Sequence, residues 1–237
     1  MKLLAIETAT EACSAALLVD GVIAVRHEEM ARGHAERILP MIDELLQEAA
    51  LSLRQLDAIA FGRGPGGFTG LRLAASLAQG LAFGAGLRVV PVSTLRAVAQ
   101  AALDRDSGAE GVLVCNDARM HEVYWASFRR GAAGLAEAVS VERVGAADSV
   151  ALAGPLEGLA VVGAGRGFAA YPQLAGVPLV SAGAVLALRA VHADLLPSAA
   201  AIARLAMPEW QAGRTVAAHE ALPIYVRDDV ARPAAAR

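Results

Sequence analysis

The sequence predicts an α/β protein of two lobes, each a mixed β-sheet with helices packed against it. Three observations lead to this fold class. The first half of the chain alternates strand-like apolar runs with helical runs, which is typical of an α/β layer. A polar segment that ends in glycine, residues 104–108, interrupts the alternation. After this segment the pattern partly restarts, so we expect a second, related lobe.

The N-terminal segment predicts three strands that pair in an antiparallel manner. Residues 2–7 and 13–19 are apolar runs of strand length. Asp20-Gly21 is a strong signal for a two-residue hairpin turn, and residues 22–26 return as the third strand.

Helices and strands alternate through the rest of the first lobe. Helices are predicted over residues 34–50 and 69–83, because their apolar residues recur at helical spacing. Residues 57–62 and 88–92 predict the fourth and fifth strands, and a third helix continues to Ala102. Because these two strands follow helical crossovers, we expect them to be parallel.

The second half has a looser pattern, in which residues 113–126 correspond faintly to residues 4–17. We therefore place the first lobe at residues 1–106 and the second at 107–237, with a frayed tail from residue 231. Two such lobes facing each other are the architecture of actin-like ATPases and sugar kinases, the ribonuclease-H-like fold, and we expect this class by analogy. The second lobe is predicted to contain strands at 112–116, 122–128, 137–142 and 160–163 and helices at 183–193 and 198–206.

Composition argues against several classes of protein. No apolar run reaches the roughly 18 clean residues that a membrane span needs. Glu7 comes too early for a secretory signal, so we expect a cytoplasmic protein without a membrane partner. The net charge is −3, and no run of consecutive Lys or Arg residues is longer than two, as at Arg129-Arg130. Both observations argue against strong direct binding to RNA.

The histidines do not predict a metal site. The chain has five histidines, and no two of them have the three- or four-residue spacing that places ligands on one helix face. We therefore expect no metal ion.

Two segments could hold an anion or a nucleotide. Glu7-Thr8 ends the first strand, where an acid can orient a metal ion or water, but it can equally cap a turn. Residues 62–70, GRGPGGFTG, lie between a strand and a helix, so the N–H groups around Gly64, Gly66 and Gly67 could face an anion. The alternative is a tight turn, since the segment has no lysine and matches neither common phosphate-binding spacing.

The helix at 69–83 is apolar on nearly every face, so it must be covered on both sides. One side is therefore a candidate partner interface, with the helix at 34–50 beside it. The alternative is burial within the chain itself. The predicted interface residues are Ile38, Met41, Ile42, Leu45, Leu71, Ala74, Ala75, Ala78 and Leu81.

Several segments closely resemble the TsaB (YeaZ) family. The resemblance covers nearly the whole chain, is strongest over residues 1–128 and is weak from about 145 to 220. It rests on IETATEACSAAL (6–17), GHAERILPMIDELL (33–46), LDAIAFGRGPGGFTGLRLAASLAQGLAF (56–83), VVPVSTL (89–95), DARMHEVYWASF (117–128) and PIYVRD (223–228).

The resemblance implies the actin-like fold and a non-catalytic role in making threonylcarbamoyladenosine beside the tRNA anticodon. It implies a heterodimer with the related catalytic subunit TsaD through the first two helices, help in recruiting the ATPase TsaE, and a homodimer when alone. Contact with tRNA would be indirect, through the complex. TsaD binds a metal through two histidines after its fifth strand, and residues 91–96 here contain none. No cofactor is required by this interpretation, although a nucleotide could bind.

Two other classes remain open from the residues alone. A nucleotide-binding ATPase or small-molecule kinase is supported by the fold and the glycine-rich loop, but a clear catalytic base is missing. A metallopeptidase is disfavoured by the histidine spacing.

Overall fold

The structure is a computed structural model that describes residues 1–152, 154–176, 179–181 and 184–227. The tail predicted to fray from residue 231 lies outside the described residues. Among the described residues, no helix is long and apolar enough to cross a membrane.

The first sheet has five strands in the order β3-β2-β1-β4-β5. Strand β1 pairs with β2, and β2 with β3, in antiparallel fashion, whereas β1–β4 and β4–β5 are parallel. This pairing confirms the predicted hairpin strands and the two parallel crossovers. The strands are β1 (Lys2–Glu7), β2 (Ala12–Val19), β3 (Val22–Glu29), β4 (Ala58–Gly62) and β5 (Arg88–Val92).

Helices cover both faces of this sheet because its strands are apolar on both sides. Leu4 and Ile6 of β1 point to the face covered by α1 (His34–Glu48) and α2 (Phe68–Ala85). Leu3 and Ala5 point to the opposite face. That face is covered by α5 (Ala199–Gln211), which comes from the end of the chain.

The second sheet has the order β13-β10-β6-β7-β8, and β9 also pairs with β7. Its β6–β7, β7–β8 and β7–β9 pairs are antiparallel, whereas β6–β10 and β10–β13 are parallel. A separate hairpin joins β11 and β12. The elements are α3 (Thr94–Arg105), β6 (Gly111–Asp117), β7 (Glu122–Arg130), β8 (Ala136–Ala138), β9 (Arg143–Ala146), β10 (Val161–Ala164), α4 (Gly167–Ala170), β11 (Leu179–Ser181), β12 (Ala184–Leu186) and β13 (Val191–His192).

The second sheet repeats the topology of the first. Strands β1 to β5 of the first sheet correspond, in this order, to β6, β7, β8, β10 and β13 of the second. The corresponding strands have the same order in the sheet and the same relative directions. Two such lobes form the actin-like, ribonuclease-H-like fold predicted from the sequence. The faint correspondence between residues 4–17 and 113–126 therefore has a structural basis, since both contain the first two strands of a lobe.

The two sheets do not coincide with the two halves of the chain. The helix α5 packs on the first sheet, and α3 packs on the second sheet through Val98, Ala102 and Leu103. Helix contacts therefore cross the predicted boundary at 106/107. As a division into separate domains, that boundary stays a prediction.

Two elements of the second lobe differ from the sequence prediction. The helix predicted over 183–193 is wrong, because residues 184–186 and 191–192 are strands. Val191 and His192 extend the sheet beside β10, and this pairing overrides the helical propensity of the Ala- and Leu-rich run. The strand predicted over 137–142 ends at Ala138, and pairing with β7 resumes only at Arg143.

Candidate functional site

A cavity of about 710 Å³ lies between the two lobes. On the side of the first lobe it is lined by the loop after β1 and the start of α2. On the side of the second lobe it is lined by the end of β6 and the β6–β7 turn. The C-terminal segment, residues 224–227, forms a further wall.

Glu7 is fully buried at the end of β1 and is held by neighbouring donors. Its Oε1 accepts a hydrogen bond from the Ala9 backbone N–H at 2.6 Å, and its Oε2 accepts one from the Thr94 hydroxyl at 3.1 Å. Burial raises the pKa of the Glu7 carboxyl from 4.5 to about 7, although these hydrogen bonds lower it. The carboxyl therefore carries its proton more readily than an exposed glutamate does.

The glycine-rich loop packs directly on the loop after β1. A Cβ added at Gly66 would lie 2.6 Å from the Ala9 carbonyl oxygen, and one at Gly70 would lie 1.9 Å from that of Thr8. The Thr8 hydroxyl donates to the Gly70 carbonyl at 2.7 Å. Glycine is therefore needed at positions 66 and 70 because two backbones approach closely.

Two of the N–H groups proposed to face an anion have partners within the chain. Gly67 N–H donates to the Ala9 carbonyl at 2.7 Å, and Gly64 N–H donates to the Thr94 hydroxyl at 3.2 Å. The structure thus brings Glu7 and Thr8 together with the glycines at 64, 66 and 67, two segments that the sequence analysis considered separately. The contacts are those of the tight-turn alternative, and the anion-binding role of these residues stays a prediction.

Ion pairs connect the lobes beside the cavity. Arg119 of the β6–β7 turn contacts Glu11 of the first lobe at 2.9 Å and Asp117 at 3.0 Å. Arg166 contacts Glu29 at 2.6 Å. These pairs are largely exposed, so each contributes only modestly to holding the lobes together.

The C-terminal segment crosses from one lobe to the other. Ile224 N–H donates to the Arg63 carbonyl at 2.7 Å, and the Tyr225 hydroxyl accepts from Arg72 at 3.0 Å, both in the first lobe. Arg227 then pairs with Glu122 in the second lobe. The segment therefore closes one side of the cavity.

Asn116 is a cavity residue that sequence reasoning missed. It is 5% exposed, and within the described part of the chain neither its amide oxygen nor its amide nitrogen has a hydrogen-bond partner. Tyr124 stands directly opposite it in the β6–β7 register, and both residues line the cavity. The feature of the sequence that could have identified it is a polar carboxamide near the end of an apolar strand, directly before Asp117.

The predicted partner interface is wrong for eight of its nine residues. All nine lie on α1 and α2, but the side chains of eight are buried within the chain itself. Seven of them pack against the first sheet, and the eighth, Leu71, is buried beside Gly64 of the glycine-rich loop. Helical spacing identified the face that packs on the sheet, which is the alternative of burial within the chain. Leu81 alone among the nine is partly buried; the buried residues are Ile38, Met41, Ile42, Leu45, Leu71, Ala74, Ala75 and Ala78.

The outward face of α2 carries the exposed Arg72 and Ser76 in its first half, whereas its C-terminal half is apolar and contains small residues. Phe83 is 84% exposed, while Leu73 and Leu77 are partly buried at the edge of the core. A Cβ added at Gly80 or Gly84 would meet nothing within 4 Å. On helix α1, which covers the same face of the sheet, Leu39 is also an exposed apolar side chain.

No group of three or more His, Cys, Asp or Glu side chains within the described ranges is arranged to hold a metal ion. The two cysteines, Cys13 and Cys115, are buried and unpaired with each other. The chain therefore offers no assembled metal centre in the part that the structure describes.

Comparison with known proteins places these features in a family. Residues 21–232 match the family model described as TsaD, tRNA N6-adenosine threonylcarbamoyltransferase. The chain is 42% identical over 236 residues to the Escherichia coli tRNA threonylcarbamoyladenosine biosynthesis protein TsaB, covering 98% of this chain and 96% of that protein. The Haemophilus influenzae protein of the same name is 41% identical over 237 residues, covering 97% and 95%.

A solved structure supports the same relationship. YeaZ from Pseudomonas aeruginosa is 42% identical and superposes with a TM-score of 0.85, covering 94% of this chain and 99% of that one. The similarity therefore extends over both lobes.

Proposed function

The chain belongs to the TsaB (YeaZ) family of tRNA threonylcarbamoyladenosine biosynthesis proteins, and from this premise we propose that it is the non-catalytic partner of its relative TsaD. In this role it binds and stabilises TsaD, helps to recruit TsaE, and contacts tRNA only through the complex. It forms a homodimer when TsaD is absent.

The observation that carries the proposal is the outward face of α2. Gly80 and Gly84 leave the backbone of the helix uncovered, so a helix of another chain can approach closely. Phe83 beside them is largely exposed, and aromatic side chains are common anchors at interfaces. An exposed apolar surface of this kind marks a protein interaction site.

Two contacts of the glycine-rich loop bear on the ATPase or kinase alternative. The N–H groups of Gly64 and Gly67 are bonded within the chain. These contacts do not favour the ATPase or kinase alternative, because phosphate binding would have to compete with them.

The test uses a substitution that adds bulk and charge outside the core. Gly80→Glu projects into open space, so the fold is retained while close helix approach is blocked. Substitutions at Leu71 or Ala78 are unsuitable, because both side chains are buried in the core. Arg204→Glu is the control for added negative charge, since Arg204 is exposed on α5 at the other face of the sheet and its ion pair with Asp104 is largely exposed.

Size-exclusion chromatography with light scattering measures the outcome, on the chain alone and mixed with TsaD from the same organism. We expect wild type and Arg204→Glu to form a homodimer alone and a mixed complex with TsaD. We expect Gly80→Glu to be monomeric and to lose at least about tenfold in affinity for TsaD. A Gly80→Glu variant that pairs normally would remove α2 from the interface, and a wild-type chain that ignores TsaD would contradict the partner role.

A further inference from the structure

The C-terminal segment, residues 224–227, contacts the start of α2 and the second lobe within a few residues. The ring of Tyr225 lies 5.7 Å from that of Phe68, measured between centroids, and the Tyr225 hydroxyl accepts a hydrogen bond from Arg72 Nε at 3.0 Å. The Arg72 guanidinium in turn lies over the Phe68 ring, 3.7 Å from its centroid. Tyr225 is therefore attached to α2, while Arg227 is attached to the second lobe.

Arg227 contacts the second lobe at four places around the β6–β7 turn. Its guanidinium donates to the Ala118 carbonyl at 3.2 Å and pairs with the carboxylate of Glu122. It also lies 3.7 Å from the sulfur of Met120 and 6.0 Å from the centroid of the Tyr124 ring. The Arg227 side chain is only 17% exposed, so these contacts are less screened by solvent than the exposed pairs elsewhere between the lobes.

The turn that Arg227 contacts has an unfavourable backbone conformation. Arg119, Met120 and His121 have φ angles of 61°, 54° and 61°, and left-handed conformations are disfavoured for residues other than glycine. A conformation of this kind persists when the surrounding contacts determine it. Because Arg227 makes contacts on both sides of these three residues, loss of Arg227 should loosen the turn.

The Tyr225 end of the segment lies on the side of α2 that we propose a partner covers. Phe68 and Phe83 are separated by about four helical turns, so their side chains leave the helix on the same side. Phe68 is 48% exposed and Tyr225 is 42% exposed, so neither ring is fully covered within the chain. A partner helix that lies along α2 from Phe83 therefore reaches the pair of rings at Phe68 and Tyr225.

We propose that the C-terminal segment couples the outward face of α2 to the β6–β7 turn, so that a partner covering Tyr225 strengthens the contact of Arg227 with the second lobe. Tyr225 and Arg227 are separated by at most about 7 Å of chain, so the position of one side chain restricts that of the other. The preceding residue is fixed on the first lobe, since Ile224 N–H donates to the Arg63 carbonyl at 2.7 Å.

The coupling has a thermodynamic consequence in both directions. A partner that binds better when Tyr225 is in place shifts the population towards the state in which Arg227 is paired. By linkage, breaking the contacts of Arg227 must weaken the binding of that partner by the same factor. This second statement rests on the proposed partner role, whereas the coupling within the chain does not.

The test uses one variant at each end of the segment and a control. Tyr225→Ala removes the contacts with Phe68 and Arg72, and Arg227→Gln removes the ion pair with Glu122. Arg129→Gln is the control, since it breaks an exposed ion pair with Glu137 inside the second lobe.

Hydrogen exchange of residues 117–122 is measured on the full chain alone, because backbone N–H groups in this segment are bonded locally. Exchange of Lys2–Glu7, measured in the same samples, shows whether each variant is folded. Affinity for TsaD from the same organism is measured by calorimetry.

We expect Tyr225→Ala to speed exchange of residues 117–122 by at least about fivefold, with unchanged exchange of Lys2–Glu7. We expect Arg227→Gln to bind TsaD at least about fivefold more weakly than wild type, although Arg227 makes its contacts with the second lobe. TsaD should slow exchange of residues 117–122 in wild type, and Arg129→Gln should behave as wild type does in both measurements.

Unchanged exchange of residues 117–122 in Tyr225→Ala would overturn the coupling, and so would normal TsaD binding by Arg227→Gln. The failure of the partner role has a different signature. In that case Tyr225→Ala still loosens the turn, which supports the coupling within the chain, but the wild-type chain does not bind TsaD.

Discussion

At the scale of single residues, Glu7 joins three parts of the first lobe. Its carboxylate bonds the loop after β1 through Ala9 and the start of α3 through Thr94, and the Thr94 hydroxyl in turn accepts from Gly64. A Cβ added at Gly62 would lie 1.9 Å from Glu7 Oε2, so glycine at that position makes room for the acid. Glu7 therefore helps to position the loop after β1, which lines the cavity.

The burial of Glu7 predicts a pH dependence of stability. Because the pKa of the carboxyl is about 7 in the folded state and 4.5 when unfolded, the folded state binds more protons between these values. The free energy of unfolding should therefore fall as the pH rises from about 4.5 to about 7, by roughly 3 kcal/mol, and then level off. The glutamine side chain of Glu7→Gln cannot ionise, so this variant does not undergo the same decrease. Its free energy of unfolding should therefore rise relative to that of wild type between pH 4.5 and about 7.

Urea denaturation at pH 5, 6, 7 and 8 measures this difference. Glu36→Gln, which changes an exposed carboxyl on α1, is the control and should run parallel to wild type. If Glu7→Gln also runs parallel to wild type, the carboxyl does not titrate with a raised pKa.

At the scale of elements, periodicity predicted where helices and strands lie but not which side of α2 is exposed. Both sides of this helix are apolar, so the pattern marks Ala74 and Ala78 as core as readily as it marks Leu77. The choice depends on the sheet, whose apolar face is supplied by residues far away along the chain. The predicted helix at 183–193 failed for a related reason, since only the presence of β10 makes Val191 a strand residue.

The packing of α5 predicts that a substitution near the end of the chain destabilises the first sheet. Ile202 is fully buried among residues of β1, β2 and β4. Ile202→Ala should therefore lower the free energy of unfolding by about 2–5 kcal/mol, because it leaves a cavity against these strands. Hydrogen exchange should speed up in Lys2–Glu7 and Ala58–Gly62.

Arg204→Ala on the exposed side of the same helix is the control, and it should change stability by less than about 1 kcal/mol. Unchanged exchange of the first sheet in Ile202→Ala would show that α5 does not stabilise that sheet.

At the scale of the whole molecule, the repeat of the lobes could be predicted, but the exchange of helices between them could not. The strand pattern after residue 108 predicts a second sheet. By contrast, nothing in the sequence of residues 199–211 indicates that this helix packs on the first sheet. Asn116 was missed for the same reason. Its burial depends on Gly165, which lies against its amide oxygen and is distant in the sequence.

The interlobe ion pairs predict how the cavity opens. The double variant Glu11→Gln/Glu29→Gln removes the interlobe partners of Arg119 and Arg166, and should cost under about 2 kcal/mol because both pairs are largely exposed. The distance between the lobes should nevertheless increase or fluctuate more. Energy transfer between labels on Arg54→Cys and Ala133→Cys measures that distance, since Cys13 and Cys115 are buried.

The control for this experiment is Glu48→Gln, which breaks an ion pair with Arg26 inside the first lobe. Identical energy transfer in wild type, control and double variant would show that the ion pairs do not set the lobe separation.

The position of α5 also has a consequence for synthesis on the ribosome. Chains emerge from the N-terminus at about 5–20 residues per second, and early domains often fold before later ones are made. Here the five strands of the first sheet emerge long before Ala199–Gln211, which cover one of its apolar faces. That face stays open to chaperones, and to neighbouring nascent chains, until α5 has been made. A ribosome stalled within the second lobe would therefore hold a product that aggregates rather than a finished first lobe.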